Sequence, residues 1–394
     1  MPNFVAKNLK FNPLPFGDED IKFQWEAKGR NSNLIYTKSG GEEFFIVIKK
    51  REKEGFVIKG EKLTKPAKIG LLQRALVKFK ELNCKEILTE AMAVKKTHLT
   101  QKSSAIVDTN EILEILKESK FSKIFIEIGF GSGRHLLYQA ETNADTLVIG
   151  IEVYKPSLEQ VAKLAKAKNL SNVALINTDA RLLLSLIKSN FIDRIFLHFP
   201  VPWDDAPHRR VVSEKFIKEC ERTLKNGGKF ELRSDSRAYT DYTIEQILNL
   251  TSAKLSIYKN RNLAVSSKYE DRWKKQSKDI YDAVFECETY SPELEMLDEL
   301  KFEHGYDTQK IASNFKNFTI KMDDCFLHLE EKFELESGEI LIRVAFGAFA
   351  SPEHCYVLVG NQKCEYLIKK PLVTRENLKA HLALKEYLAN AKNN

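Results

Sequence analysis

The stretch FIEIGFGSGRHLL, Phe125–Leu137, decides the fold. It opens as an apolar strand, reaches a carboxylate at Glu127, and then places Gly129, Gly131 and Gly133 on alternate positions before a helix-compatible run. Glycines there let the backbone turn sharply and let a ligand approach it closely, while the helix N-terminus offers free N–H groups. A plain strand-to-helix turn does not need three glycines behind an acid. The spacing is G-x-G-x-G, which differs from the G-x-G-x-x-G of dinucleotide binding. Glu127 would repel a pyrophosphate and attract a cationic amino group.

Outward from this stretch the pattern is α/β. KIFIEIG, TLVIGIEV, NVALINTDA and DRIFLHFP are four nearly continuous apolar runs, separated by helix-compatible segments such as LEQVAKLAKAKNL. Apolar strands alternating with helices predict a parallel sheet covered on both faces. NGGKFELRSD, KLSIYKN and IYDAVFECE add three more, for a mostly parallel, seven-stranded sheet. Two further acids fall at strand ends. Glu152 closes the second strand, where a carboxylate accepts from ribose hydroxyls, and Asp179 closes the third, where it would take an adenine amino group. Together with Glu127 and the glycines, they fit S-adenosylmethionine, which carries an amino group, a sulfonium, a ribose and an adenine.

The fourth strand runs into LHFPVPWDDAPHRR, Leu197–Arg210. Pro200 and Pro202 cannot both belong to a helix or a central strand, so they lock a turn at the carboxyl edge of the sheet. Phe199 and Trp203 offer aromatic faces for a flat base, and Arg209 and Arg210 are placed for phosphates. His135 and His198 read as structural.

Two segments flank this core. Residues 1–118 read as a small basic α+β domain, in which FFIVIKK and GFVIKG are strands joined by a turn and KIGLLQRALVKFKEL is a helix. Residues 290–394 read as a β-rich α+β domain closed by the helix NLKAHLALKEYLANAK, leaving 119–289 as the core domain. Lys and Arg outnumber Asp and Glu by 23 to 16 in residues 1–120 and by 26 to 22 in 121–288, whereas acids lead 17 to 13 from 289 onward. The positive charge therefore lies where a polyanion would be met, and the N-terminal domain is expected to contribute to phosphate contact. Six singly spaced cysteines without a C-x-x-C pair argue against a structural metal or a disulfide framework. No apolar run is long enough to span a bilayer and the N-terminus lacks a signal-peptide core, so a cytoplasmic protein without a membrane partner is expected.

The residues IEIGFGSG, GIEVYKPS, NTDA, FPVPW…HRR, RSDSRAY and SSKYEDRW occur in the order seen in tRNA (guanine-N7)-methyltransferases. Over residues 121–288 the chain resembles that family, whose core is a class I, Rossmann-like methyltransferase. The resemblance implies transfer of a methyl group from S-adenosylmethionine to N7 of a guanine in the variable loop of tRNA. It implies Glu127, Gly129, Gly131, Gly133, Glu152, Asp179 and the Val201 position as cofactor-binding, with no metal. Asp235 and Glu270 would position the guanine, and Ser267, Lys268, Tyr269 and Glu270 match the family's Thr-Lys-Phe-Glu substrate motif.

The chain departs from the family pattern at the turn. The family's F-P-D-P-W carries an acid where this chain has Val201, and the lysine after its tryptophan is Asp205 here. Guanine N7 already bears an in-plane lone pair, so alignment rather than proton removal carries the transfer, and no general base is assigned. Asp235 and Glu270 remain to offset the charge that develops on the base. Two alternatives stay open: an RNA-binding protein with a weakened methyltransferase site, and a methyltransferase acting on another substrate. Oligomeric state is not legible.

Overall fold

A mostly parallel sheet of eight strands organises residues 100–296, which form one of two compact units. In space its order is Lys254–Lys259, Tyr281–Glu286, Leu224–Ser234, Ile192–His198, Lys123–Ile128, Thr146–Ile151, Val173–Ile176 and Ile106–Val107. Among the described residues one strand is reversed, Tyr281–Glu286, which runs antiparallel to both of its neighbours, Leu224–Ser234 and Lys254–Lys259. The computed structural model describes residues 2–52, 54–66, 68–92, 104–295, 297–349 and 351–390. Seven strands match the sequence reading. The eighth, Ile106–Val107, pairs with Leu175–Ile176 at the sheet edge, so the expected count is corrected upward by one short strand.

The strands form where they do because their side chains are apolar on both faces. Ile126, Ile149, Leu175 and Ile195 are fully buried, and helices cover both sides. Helix Lys155–Ala167 shows the matching period, burying Leu158, Val161, Ala162 and Ala165 against that sheet. The chain leaves Lys123–Ile128 toward Thr146–Ile151 on one side, then returns to place Ile192–His198 on the other. That reversal of strand order opens the crevice in which α/β folds bind ligands.

The second unit joins residues 1–99 and 297–394. Its sheet has twelve strands, and Ala27–Gly29 pairs antiparallel with Phe333–Leu335. The sequence reading treated 1–118 and 290–394 as separate domains; instead residues 1–99 and 297–394 share one sheet and one cluster of core residues, while Ile106–Val107 and helix Thr109–Lys117 belong to the other unit. Phe45 and Tyr356 meet with ring centroids 5.1 Å apart, packed among Ala27, Leu34, Phe333 and Leu341. The local elements are as expected: strands Glu42–Lys50 and Phe56–Gly60 pair across a turn, Ile69–Asn83 is helical, and Arg375–Ala389 is the closing helix. Among the described residues, no helix is long and apolar enough to cross a membrane.

Candidate active site

The glycine loop is left-handed at all three glycines, with φ of 68° at Gly129, 52° at Gly131 and 70° at Gly133. A Cβ on Gly129 would meet nothing within 4 Å, and on Gly131 it would reach only the Gly129 carbonyl at 4.0 Å. Those two therefore face open space. Gly133 differs, because its Cβ would stand 2.4 Å from Val161 Cγ2, so it lets helix Lys155–Ala167 close against the loop. Glu152 clasps the loop from below: its Oε2 accepts from Gly131 N at 3.0 Å and its Oε1 from Tyr154 N at 2.9 Å.

Glu127 is not open to a ligand in the way the sequence suggested. It is buried, and its Oε2 lies 2.8 Å from His135 Nδ1. Burial works against a charged imidazole, but the charge of Glu127 and the hydrogen bond to it outweigh that, and His135 is raised above its ordinary pKa. Asp179 is likewise committed. It caps helix Ala180–Leu186 through Arg181 N and holds the Arg181 guanidinium at 3.0 and 2.6 Å.

The proline turn carries two bulky residues in the left-handed region, Phe199 at φ 51° and Trp203 at φ 48°. Each costs on the order of 1–3 kcal/mol, a strain that collects at functional sites. Packing imposes it. Phe199 N donates to Arg233 O at 2.7 Å, and the Arg210 guanidinium donates to Pro202 O at 2.8 Å. Arg210 lies against the Tyr239 and Tyr242 rings, 5.1 and 4.9 Å from their centroids. It is a buried brace of the turn and does not present itself to a phosphate, which corrects the sequence reading. Arg209 is exposed and sits 5.0 Å from the Trp203 ring centroid. Val201 is 61% exposed at the tip of the turn.

Asp235 follows the neighbouring strand Leu224–Ser234, so it stands beside the turn. Its Oδ2 accepts from Lys278 Nζ at 2.9 Å, and that ammonium lies 3.7 Å from the Trp273 ring centroid. Ser267 caps helix Lys268–Lys275 by accepting from Glu270 N at 3.0 Å, leaving Lys268 and Tyr269 exposed.

Glu270 is corrected in role. It is 1% exposed, and both its oxygens accept from Arg233, at 2.9 and 3.2 Å, with Lys274 Nζ 2.8 Å from Oε1. Arg233 is itself fully buried and also donates to Asp282 Oδ1 at 2.5 Å and to Arg261 O at 2.8 Å. Burial opposes the charge on Glu270, yet Arg233 and Lys274 lower its pKa below the ordinary value. The carboxylate holds the substrate helix onto the sheet and has no face left for a base.

Sequence reasoning missed the partners that make this arrangement. Besides Arg233, Arg261 Nη2 stands 2.9 Å from Glu231 Oε2 and Nε stands 3.4 Å from Asp282 Oδ2, close enough to pair charges without hydrogen-bond alignment. His198 Nε2 is 3.0 Å from Glu231 Oε1, and its ring centroid is 4.5 Å from that of His135. A line of buried polar side chains thus runs across the sheet from Glu127 to Glu270.

Residues 122–283 match a family model described as "Putative methyltransferase". A tRNA (guanine-N(7)-)-methyltransferase of Campylobacter fetus subsp. fetus is 53% identical over 393 residues, covering 99% of both chains. The chain belongs to the tRNA (guanine-N(7)-)-methyltransferase family. Relatives carrying the same name include one from Campylobacter jejuni subsp. jejuni serotype O:2, 51% identical over 98% of each chain, and one from Wolinella succinogenes, 34% identical over 99% of this chain and 100% of its own. The similarity therefore extends through the split second unit as well as the methyltransferase unit.

Proposed function

We propose that this chain transfers a methyl group from S-adenosylmethionine to N7 of a guanine in the variable loop of tRNA. One observation carries the reading: the open glycine cradle and the strained aromatic turn follow adjacent strands at the point where the strand order reverses. The cradle fits the cofactor because Gly129 and Gly131 leave space where any Cβ would intrude, and Glu152 holds a carboxylate at the end of the next strand. When bound there, S-adenosylmethionine supplies an electrophilic methyl group on a sulfonium.

The chain's own residues supply alignment. Trp203, steadied by Arg209, and half-buried Phe199 offer faces against which a guanine stacks. Asp235, held by Lys278, accepts from the N1 and N2 edge of that base and offsets the positive charge that develops as N7 is alkylated. Lys268 and Tyr269 meet the RNA beside it, and the basic N-terminal stretch, residues 1–99, binds RNA phosphates in its own right. Val201 replaces an acid that this chemistry does not need for proton removal.

The test is methyl transfer from labelled S-adenosylmethionine to an unmodified tRNA transcript. Label in tRNA with wild type, lost in Asp235→Ala, is the expected result. Wild type that binds tRNA but never labels it, while Val201→Asp does, would make this an RNA-binding protein with a disabled site.

A further inference from the structure

The helix Lys268–Lys275, which presents Lys268 and Tyr269, is tied down on two sides. On the inner side Glu270 grips Arg233. On the outer side, Asp271 Oδ2 accepts from Arg134 Nη1 at 2.6 Å, and Asp271 also takes the Ser266 hydroxyl. Arg134 is the first residue of helix Arg134–Thr142, directly behind Gly133. A cation there faces the positive end of the helix dipole, and that helix has no acid in its first turn. The charge that offsets it comes from Asp271, the residue directly after the substrate motif. Stability does not account for the contact, because both side chains are largely solvated, at 50% and 41% exposure, and such pairs add little to folding.

We propose that the Arg134–Asp271 ion pair couples the two binding events, so that occupancy of the glycine loop by the methyl donor raises the affinity of the Ser267–Glu270 motif for tRNA, and the reverse. This rests on the function proposed above. Arg134 moves with the loop that cradles the donor, and Asp271 moves with Ser267, Lys268 and Tyr269, so the pair passes the position of one to the other. Linkage then requires the effect to be reciprocal.

The test measures the Kd of an unmodified tRNA transcript by fluorescence anisotropy, with and without saturating S-adenosylhomocysteine. The proteins are wild type, Arg134→Glu, Asp271→Arg and the double charge swap. Wild type is expected to bind tRNA about fivefold or more tighter with the nucleoside present. Each single variant should lose that ratio while its melting temperature stays within about 2 °C of wild type, and the swap should restore it. Single variants that keep the wild-type ratio, or a swap no better than the singles, would overturn the proposal. Wild type that binds both ligands without coupling would also sink it, whereas wild type that binds neither would sink the functional reading itself.

Discussion

Replacing Glu270 with glutamine separates a structural carboxylate from a base-contacting one. The substitution keeps the shape but leaves Arg233, which is fully buried, with a neutral partner where it had a bidentate anion. Removing one member of a buried pair costs about 3–5 kcal/mol. The lower end applies here, because Arg233 keeps Asp282 Oδ1 and the Arg261 carbonyl. For a unit spanning residues 100–296, about 3 kcal/mol corresponds to a fall in melting temperature of roughly 6–12 °C. Calorimetry gives the shift, and hydrogen exchange in peptides from Leu224–Ser234 and Tyr281–Glu286 assigns it to this sheet. Tyr269→Ala is the control. That side chain is 53% exposed, so its loss should change stability by less than about 0.5 kcal/mol while weakening tRNA binding. A Glu270→Gln protein that melts with wild type yet has lost tRNA binding would refute the reasoning, since the carboxylate would then be spending itself on the substrate.

Other perturbations read the remaining parts of the site. Gly131→Ala should fold with a loss of about 1 kcal/mol from its left-handed backbone, since its Cβ enters open space, but isothermal titration should show at least tenfold weaker S-adenosylmethionine binding; Gly133→Ala should lose more stability, because the same strain is joined by contact with Val161. Val201→Asp, at an exposed position, should leave urea unfolding within about 0.5 kcal/mol of wild type and should not be needed for methyl transfer. The His135–Glu127 pair gives stability that is full below the ordinary histidine value and is lost as pH rises through the raised folded value, so wild type should lose stability from about pH 6.5 upward while His135→Asn does not. At the acid end burial pushes Glu231 up, but His198 and Arg261 hold it down at about 2, so its contribution should disappear as pH falls from about 4.5 toward 2, a slope absent in Glu231→Gln.

The fold of the central unit was legible because its strands are apolar on both faces and its helices keep a clean period. What escaped was pairing at a distance. Ile106–Val107 is too short to stand out, and nothing local in Ala27–Gly29 names Phe333–Leu335 as its neighbour, since register depends on a core that only the folded chain assembles. The site divided in the same way. The left-handed glycine loop and the locked proline turn were legible from residue type and position at the strand ends, whereas Asp235 was named only through the family resemblance. Asp179 could have been read as a cap, because an aspartate directly ahead of a helix-compatible run is a favoured N-cap. Glu270 and Arg210 could not have been assigned correctly, because their partners, Arg233 for one and Tyr239 with Tyr242 for the other, come from other elements of the fold. Residue type marked where charge was needed; burial decided which charges were left to meet a ligand.

The most direct test of the central claim uses two tRNA transcripts, one natural in sequence and one carrying 7-deazaguanine in place of guanine in the variable loop. The analogue keeps the base-pairing edge and the stacking face but has a carbon where N7 should be. Wild-type protein with labelled S-adenosylmethionine should methylate the first transcript, yield N7-methylguanosine on nucleoside digestion, and leave the second unlabelled while binding both equally. Equal labelling of the two transcripts, or a methylated nucleoside other than N7-methylguanosine, would contradict it.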